Sequence, residues 1–147
     1  MNEHYPRAGV VAIVRRGDAF LLVRRGRAPN AGRWGFPGGK IEYGETLFHA
    51  AERELREETA LDGRSTRVVT AFDVIDRAPD GTVGYHYLAA AVACEVDVGT
   101  PRPGDDAAEV RWFTPGDLRS DDDVLPRVLD VVALVLGLSP EAAEEDD

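Results

Sequence analysis

Three glutamates near the middle of the chain have the spacing that places carboxylates on one face of a helix. Glu54, Glu57 and Glu58 are three and four positions apart, so in a helix they fall within an arc of about 100°. Carboxylates this close repel one another unless a cation lies between them, and oxygen ligands on a rigid helix suit Mg²⁺ or Mn²⁺. The alternative is a solvated helix face whose glutamates pair with Arg53 and Arg56.

Two consecutive glycines, Gly38 and Gly39, precede this helix and follow a proline. The absence of side chains there lets a phosphate group or a metal ion approach the backbone closely. The loop is not a P-loop, because Ile41 stands where a Ser or Thr would follow the lysine of that motif. Together, the loop and the acidic helix predict a site for phosphate chemistry that depends on a divalent metal.

A second acidic group lies later in the chain. Asp105, Asp106 and Glu109 precede Arg111-Trp112-Phe113, the end of a short predicted strand. We choose Asp106 as a further metal ligand or as the general base, since a carboxylate beside a metal site can accept a proton from water. The alternative is an ordinary solvated loop.

Cations close to the glycine loop could neutralise the phosphates of a substrate. Several arginines lie between positions 24 and 33, and Lys40 is the only lysine of the chain. We expect Arg25, Arg33, Lys40 and the aromatic Phe36 to bind the substrate. The alternative for each arginine is a surface position at the end of a strand.

The pattern of apolar residues predicts the elements that position these groups. Strands are predicted at residues 8–16, 19–25, 67–76, 83–95 and 109–113, and helices at 46–59 and 124–136. In the first two strands, apolar residues occur at both odd and even positions, which indicates that both faces of the sheet are buried. The result is an α/β (α+β) domain with a mixed sheet at residues 1–140, followed by an acidic tail at 141–147.

Composition excludes several classes of protein. A chain of 147 residues with 44% hydrophobic residues can bury a core and is too apolar to be disordered. The net charge of −10 gives no general attraction for a nucleic-acid polymer. Cys94 is the only cysteine, which excludes an internal disulfide and a multi-cysteine zinc site. No signal peptide or membrane span is recognised, so we expect a cytoplasmic location.

Residues 39–61 resemble the Nudix box, whose pattern is G-x5-E-x7-R-E-U-x-E-E-x-G-U, with U an aliphatic residue. The matching positions are Gly39, Glu45, Arg53, Glu54, Leu55, Glu57, Glu58 and Leu61. Ala60 stands at the position of the last glycine. This position lies just past the helix, where a left-handed turn favours glycine and alanine costs about 1 kcal/mol. The alanine removes no ligand.

This resemblance implies a Nudix fold, which is an αβα sandwich around a mixed sheet. It also implies hydrolysis of a nucleoside diphosphate linked to another moiety, X, with Mg²⁺ or Mn²⁺ as the cofactor. By position, Arg53 would orient the glutamates through salt bridges and act with Glu54 and Glu57 in catalysis. The metal ligands would be the carbonyl of Gly39 and the carboxylates of Glu54, Glu57 and Glu58.

Three outer segments, at residues 24–39, 71–76 and 85–87, are similar to the ADP-ribose pyrophosphatase branch of that family. They favour ADP-ribose-like substrates. Residues 36–42 are shared with a branch that hydrolyses oxidised nucleoside triphosphates, which is the alternative. A non-catalytic nucleotide sensor is an alternative of another class, against which the intact glutamates argue. The expected partner is a small nucleotide, with no nucleic-acid polymer and no membrane, and a homodimer is compatible with the sequence.

Overall fold

The computed structural model describes residues 4–27 and 30–137. The acidic tail at 141–147 lies outside the described residues. Seven strands and three helices occur within the described part of the chain: β1 (Arg7–Arg16), β2 (Ala19–Arg25), β3 (Trp34–Gly35), β4 (Gly38–Lys40), α1 (Leu47–Thr59), β5 (Gly63–Arg77), β6 (Val83–Val96), β7 (Ala107–Phe113), α2 (Pro115–Ser120) and α3 (Pro126–Val135).

The strands form one sheet in the order β3-β2-β1-β6-β5, with β4 paired to β1 and β7 paired to β2. β1 and β6 run parallel, whereas the other strand pairs are antiparallel. The mixed sheet with its helices confirms the predicted α/β class.

Strands β1 and β2 pair only next to their connecting turn, at Arg15 with Phe20 and at Arg16 with Ala19. Beyond that point they separate, and residues 34–40 fill the gap, with β3 on β2 and β4 on β1. The carbonyl of Pro37 accepts a hydrogen bond of 2.7 Å from the backbone of β1. The two glycines are thereby fixed against the middle strand of the sheet.

The helices cover the two faces of the sheet. On one face, Ala50, Ala51 and Leu55 of α1 pack with Val10 and Val92, all of them fully or almost fully buried. On the other face, α3 packs on a second core cluster that contains Phe20, Phe113 and Trp34. The glutamates of α1 lie on the arc next to the packed residues, so the core packing fixes the direction in which they point.

Both ends of α1 have local caps. The Thr46 side chain accepts a hydrogen bond of 3.2 Å from the backbone N–H of His49 at the N-terminus. At the C-terminus, Ala60 has the left-handed conformation (φ 65°, ψ 11°), and its N–H donates to the carbonyl of Arg56 at 2.9 Å. The turn expected of a glycine therefore forms with an alanine.

Three elements were not predicted from the sequence. β3 and β4 have two and three residues, too few to produce an alternating pattern. α2 has six residues and begins with a capping box between Thr114 and Asp117. Among the residues described, no helix has the length and apolarity to cross a bilayer.

Candidate active site

The acidic face of α1 is partly buried. Glu54 and Glu58 are each only 8% exposed, whereas the side chain of Glu57 is 44% exposed. Buried carboxylates are costly unless a hydrogen bond or a positive charge compensates them. The surroundings of the three glutamates therefore decide what the site can bind.

Arg53 connects the glutamates to the loop that precedes the helix. Its Nη1 lies 3.2 Å from Glu54 Oε2 and 3.1 Å from Glu57 Oε1. Its Nη2 donates to the carbonyl of Lys40 at 3.0 Å. One guanidinium thus holds two carboxylates and the end of β4, which agrees with the orienting role that the resemblance implies.

Glu45 forms a two-point ion pair with the same arginine. Arg53 Nε donates to Glu45 Oε2 at 2.7 Å, and Arg53 Nη2 donates to Glu45 Oε1 at 2.9 Å. The Glu42 backbone N–H also donates to Glu45, at 3.1 Å. These hydrogen bonds, first of all those from Arg53, lower the pKa of Glu45 to about 2.

Glu58 lies on the opposite side of the acidic face, against the glycine loop. Its Oε1 accepts a hydrogen bond of 3.3 Å from the backbone N–H of Gly38. Burial, and then the neighbouring Glu54 carboxylate, raise the pKa of Glu58 to about 9, although the charge of Arg25 opposes this shift. Burial likewise raises the pKa of Glu54. Glu54 and Glu58 are therefore two neighbouring buried carboxylates with too little positive charge nearby to stabilise both in the ionised form.

Gly39 leaves the space that Glu54 occupies. A β-carbon at position 39 would lie 2.6 Å from the carboxyl carbon of Glu54, which is closer than atoms can approach. A larger residue would have to displace the carboxylate, because Glu54 packs directly on the backbone of β4. This contact brings the Gly39 backbone and the Glu54 carboxylate together.

The segment at residues 97–106 binds to the C-terminal end of α1. The backbone N–H groups of Arg102 and Gly104 donate to the carbonyls of Thr59 and Glu58, at 2.8 Å and 3.1 Å. Carbonyls in the last turn of a helix have no partner within the helix, so this loop supplies partners for two of them. A β-carbon at Gly104 would lie 2.5 Å from the carbonyl oxygen of Glu57, which explains the glycine.

The docked loop brings Asp105 to the acidic face. Glu54, Glu57 and Asp105 each offer one carboxylate oxygen, and these oxygens lie within 4.8 Å of one another. Asp105 has a positive φ of 53°, a conformation that Asp tolerates better than most residues.

Asp106, which the sequence analysis chose, points to a different partner. Its Oδ1 contacts the guanidinium of Arg27, and among the described residues it is not in the group formed by Glu54, Glu57 and Asp105. The third candidate, Glu109, forms an ion pair of 2.8 Å with Arg24. The left-handed backbone at Asp105 separates the directions of the two adjacent carboxylates, and no sequence pattern reveals it.

The four residues expected to bind substrate lie in different surroundings. The charge of Arg25 acts on Glu58, and Lys40 is exposed beside Arg53. Arg33 Nε donates to the carbonyl of Asp123 at 3.1 Å. Phe36 is 9% exposed and belongs to the core cluster under α3. Arg25 is therefore the one of these residues whose charge acts on the acidic face, whereas Lys40 contacts Arg53 through its backbone carbonyl.

A family model described as NUDIX domain matches residues 4–133. An ADP-ribose pyrophosphatase of Methanocaldococcus jannaschii is 32% identical over 109 residues, which cover 74% of this chain and 62% of that protein. A CTP pyrophosphohydrolase of Escherichia coli is 43% identical over 54 residues, which cover 36% of this chain and 40% of that protein. The chain thus spans less than two thirds of the length of either relative.

The fold also matches a solved structure over most of its length. The crystal structure of a MutT NUDIX hydrolase from Burkholderia pseudomallei has a TM-score of 0.78 at 31% identity, and the match covers 90% of this chain and 99% of that chain. The family match covers most of the sequence and includes every residue of the acidic site described above. The chain therefore belongs to the NUDIX domain family.

Proposed function

We propose that this protein hydrolyses the pyrophosphate bond of nucleoside diphosphates linked to a second moiety, with Mg²⁺ or Mn²⁺ as the cofactor. The observation that carries the proposal is the group of three carboxylate oxygens from Glu54, Glu57 and Asp105 within 4.8 Å of one another. Two of these residues come from the box motif and the third from a loop that binds to the same helix.

The donor set fits a hard divalent cation. All three groups offer oxygen, which Mg²⁺ and Mn²⁺ prefer. With metal–oxygen distances of about 2.1 Å, two oxygens on one Mg²⁺ lie about 3 to 4 Å apart, and the three carboxylate oxygens here all lie within 4.8 Å of one another. The Glu58 carboxylate and the Gly39 carbonyl are the further ligands that the resemblance implies.

The electrostatics of the site also favour a cation. Burial raises the pKa values of Glu54 and Glu58, which means that the protein alone stabilises their charged forms poorly. A divalent ion bound between them would supply the missing positive charge. Ordinary solvated glutamates on a helix would not have raised pKa values, so the alternative of a solvated face is disfavoured.

Residues of the chain then have separate roles in hydrolysis. When bound, the metal ion supplies positive charge to the phosphate oxygens and lowers the pKa of water. Arg53 holds Glu54 and Glu57 in position through its two hydrogen bonds. Glu57 and Asp105 are the exposed members of the group, so water reaches them and either carboxylate can accept its proton. Arg25 and Lys40 supply positive charge for the phosphates.

We propose ADP-ribose-like compounds as the substrates, cleaved to AMP and a sugar phosphate. The support is the similarity of the outer segments to that branch, together with the ADP-ribose pyrophosphatase of M. jannaschii among the relatives. A nucleoside triphosphate is the second candidate. It is supported by residues 36–42 and by the name of the E. coli relative, a CTP pyrophosphohydrolase.

Competitive turnover tests the proposal. ADP-ribose, CTP and 8-oxo-dGTP are incubated with the protein in Mg²⁺, in Mn²⁺ and in EDTA, and products are separated by chromatography. We expect AMP and ribose 5-phosphate, formed only with metal, and loss of the reaction in Glu57→Gln. A kcat/KM more than about tenfold higher for a triphosphate would reverse the choice of substrate. Nucleotide binding without any turnover would support a sensor instead.

A further inference from the structure

The two adjacent aspartates at the end of the loop on α1 have different partners. Asp105 joins Glu54 and Glu57 in the acidic group. Asp106 contacts the guanidinium of Arg27, and its Oδ1 is shielded from solvent. Because the two aspartates are consecutive, this second contact ties Arg27 to the residue directly after the one that joins the acidic group.

The backbone fixes the position of this cation. The N–H of Gly26 donates to the carbonyl of Asp106 at 2.8 Å. A β-carbon at Gly26 would lie 2.9 Å from the same oxygen, so a larger residue there would push the two segments apart. This hydrogen bond joins the end of β2 to the loop that carries Asp105. Arg27 is the residue directly after Gly26.

Arg27 keeps the capacity to bind an anion while it contacts Asp106. Its side chain is 71% exposed, and a guanidinium has five N–H donors, of which one carboxylate accepts two at most. The remaining donors are available to phosphate oxygens, which arginine binds in the same two-point geometry.

We propose that Arg27 binds a phosphate of the substrate beside the acidic group, and that Asp106 is the residue that positions Arg27. This inference rests on the proposed function, because it assigns a contact to the substrate of that same site. A diphosphate carries negative charge on both phosphates, and the carboxylates that would hold the metal ion are also negative. Arg27 supplies the opposite charge at the edge where carboxylates otherwise repel the substrate.

The alternative is that Arg27 and Asp106 form an ordinary exposed ion pair that has no role in substrate binding. Such pairs are common and contribute little to stability, so the experiment must measure binding rather than folding. Arg56 of α1 and Asp62, which follows that helix, form an exposed ion pair at 3.7 Å, with side chains 60% and 86% exposed. Arg56→Ala is therefore the control for loss of one exposed arginine.

Binding of α,β-methylene ADP in Mg²⁺ is measured by calorimetry, since this analogue resists cleavage between its phosphates. We expect Arg27→Ala to weaken binding about tenfold, as loss of hydrogen bonds to a charged group does. Asp106→Asn should weaken binding severalfold. The conservative variant Asp106→Glu should keep the wild-type affinity, and Arg56→Ala should leave the affinity unchanged. In Asp106→Asn the loss with ADP-ribose should appear in KM rather than in kcat.

The double variant Arg27→Ala/Asp106→Asn decides the positioning role. If Asp106 acts through Arg27, the double variant binds no more weakly than Arg27→Ala alone. Additive losses, or the loss of Mg²⁺-induced thermal stabilisation in Asp106→Asn, would overturn that role. Wild-type affinity in Arg27→Ala would overturn the inference as a whole. If the wild type binds the analogue as expected but cleaves no ADP-ribose, the proposed function fails while the role of Arg27 in binding phosphate stands.

Discussion

The backbone of Gly39 and the carboxylate of Glu54 occupy adjoining space across β4 and α1. A β-carbon on Gly39 would lie 2.6 Å from the Glu54 carboxyl carbon. The glycine loop and the acidic helix are therefore one unit, in which the position of the carboxylate depends on a missing side chain.

Gly39→Ala should displace Glu54 and disable the site without unfolding the protein. A misplacement of about 1 Å can cost about 100-fold in rate, so we expect that loss in kcat/KM together with a smaller Mg²⁺-induced rise in melting temperature. Gly116→Ala is the matched control, because its nearest neighbour would be 3.8 Å away at Thr114 Oγ1. Wild-type activity in Gly39→Ala would show that the close contact is irrelevant.

Asp105 should be required for metal-dependent stabilisation. Asp105→Asn removes the negative charge of one of the three carboxylates in the acidic group, so the rise in melting temperature with Mg²⁺ over EDTA should shrink clearly. Asp106→Asn should keep that rise, because Asp106 contacts Arg27 instead. Scanning fluorimetry at equal ionic strength measures both variants. The reverse result would assign the ligand to Asp106.

Glu58 should make the metal-free protein less stable as the pH rises. Its pKa changes from 4.5 in the unfolded chain to about 9 in the folded protein, so the folded state holds a proton that the unfolded state has lost. The contribution of Glu58 to the free energy of unfolding in EDTA should therefore be complete below pH 4.5 and be lost as the pH rises towards about 9.

Glu58→Gln tests the origin of this slope. In urea titrations at pH 5, 6.5 and 8 with EDTA, the variant should show a smaller slope and exceed the wild type at pH 8. In Mg²⁺ the order should reverse, because the wild type gains a ligand charge that the variant lacks. An identical slope in the variant would assign the titration to another group, with Glu54 the first to test.

The ion pair between Glu45 and Arg53 should contribute stability with the opposite pH dependence. The pKa of Glu45 falls from 4.5 to about 2 on folding, so its contribution is complete above pH 4.5 and is lost as the pH falls towards 2. Glu45→Gln should cost about 1–3 kcal/mol at pH 6 and clearly less at pH 3. Glu42→Gln is the control, since its carboxylate lies 4.0 Å from Arg53 and is 71% exposed.

Ala60→Gly should stabilise the protein by about 1 kcal/mol, measured by urea unfolding. Ala60 has a φ of 65°, where a β-carbon is strained and glycine is not. Ala50→Gly, inside the same helix, should have the opposite sign because glycine is a poor helix former. A loss of stability in Ala60→Gly would mean that the entropy of the unfolded glycine outweighs the strain.

Most of the long elements could be predicted from the sequence because their apolar patterns are strong. The predicted strand at 19–25 has the bounds observed for β2 (Ala19–Arg25), and the predicted helix at 46–59 differs by one residue from α1 (Leu47–Thr59). β5 begins at Gly63, four residues before the predicted start, because it continues as the partner of β6. Such partners come from the tertiary structure and leave no local pattern.

The helical half of the site was predictable, but the loop half was not. Helix geometry alone places Glu54 and Glu57 together. Asp105 joins them only because the loop donates to the carbonyls of Thr59 and Glu58 and then adopts a positive φ. The sequence predicts that Phe36 binds the substrate, and in the structure its side chain packs in the core. An aromatic residue beside a glycine loop looks the same in the sequence whether its side chain binds the substrate or packs in the core.

The parallel pairing of β1 with β6 delays completion of the sheet during synthesis of the chain. β1 lies in the middle of the sheet and is synthesised first, but its partner β6 ends only at Val96, about 80 residues later. At about 5–20 residues per second, the strand waits about 4–16 seconds with an unpaired edge. A nascent chain stalled before Val83 would therefore expose an apolar strand that could pair with another nascent copy.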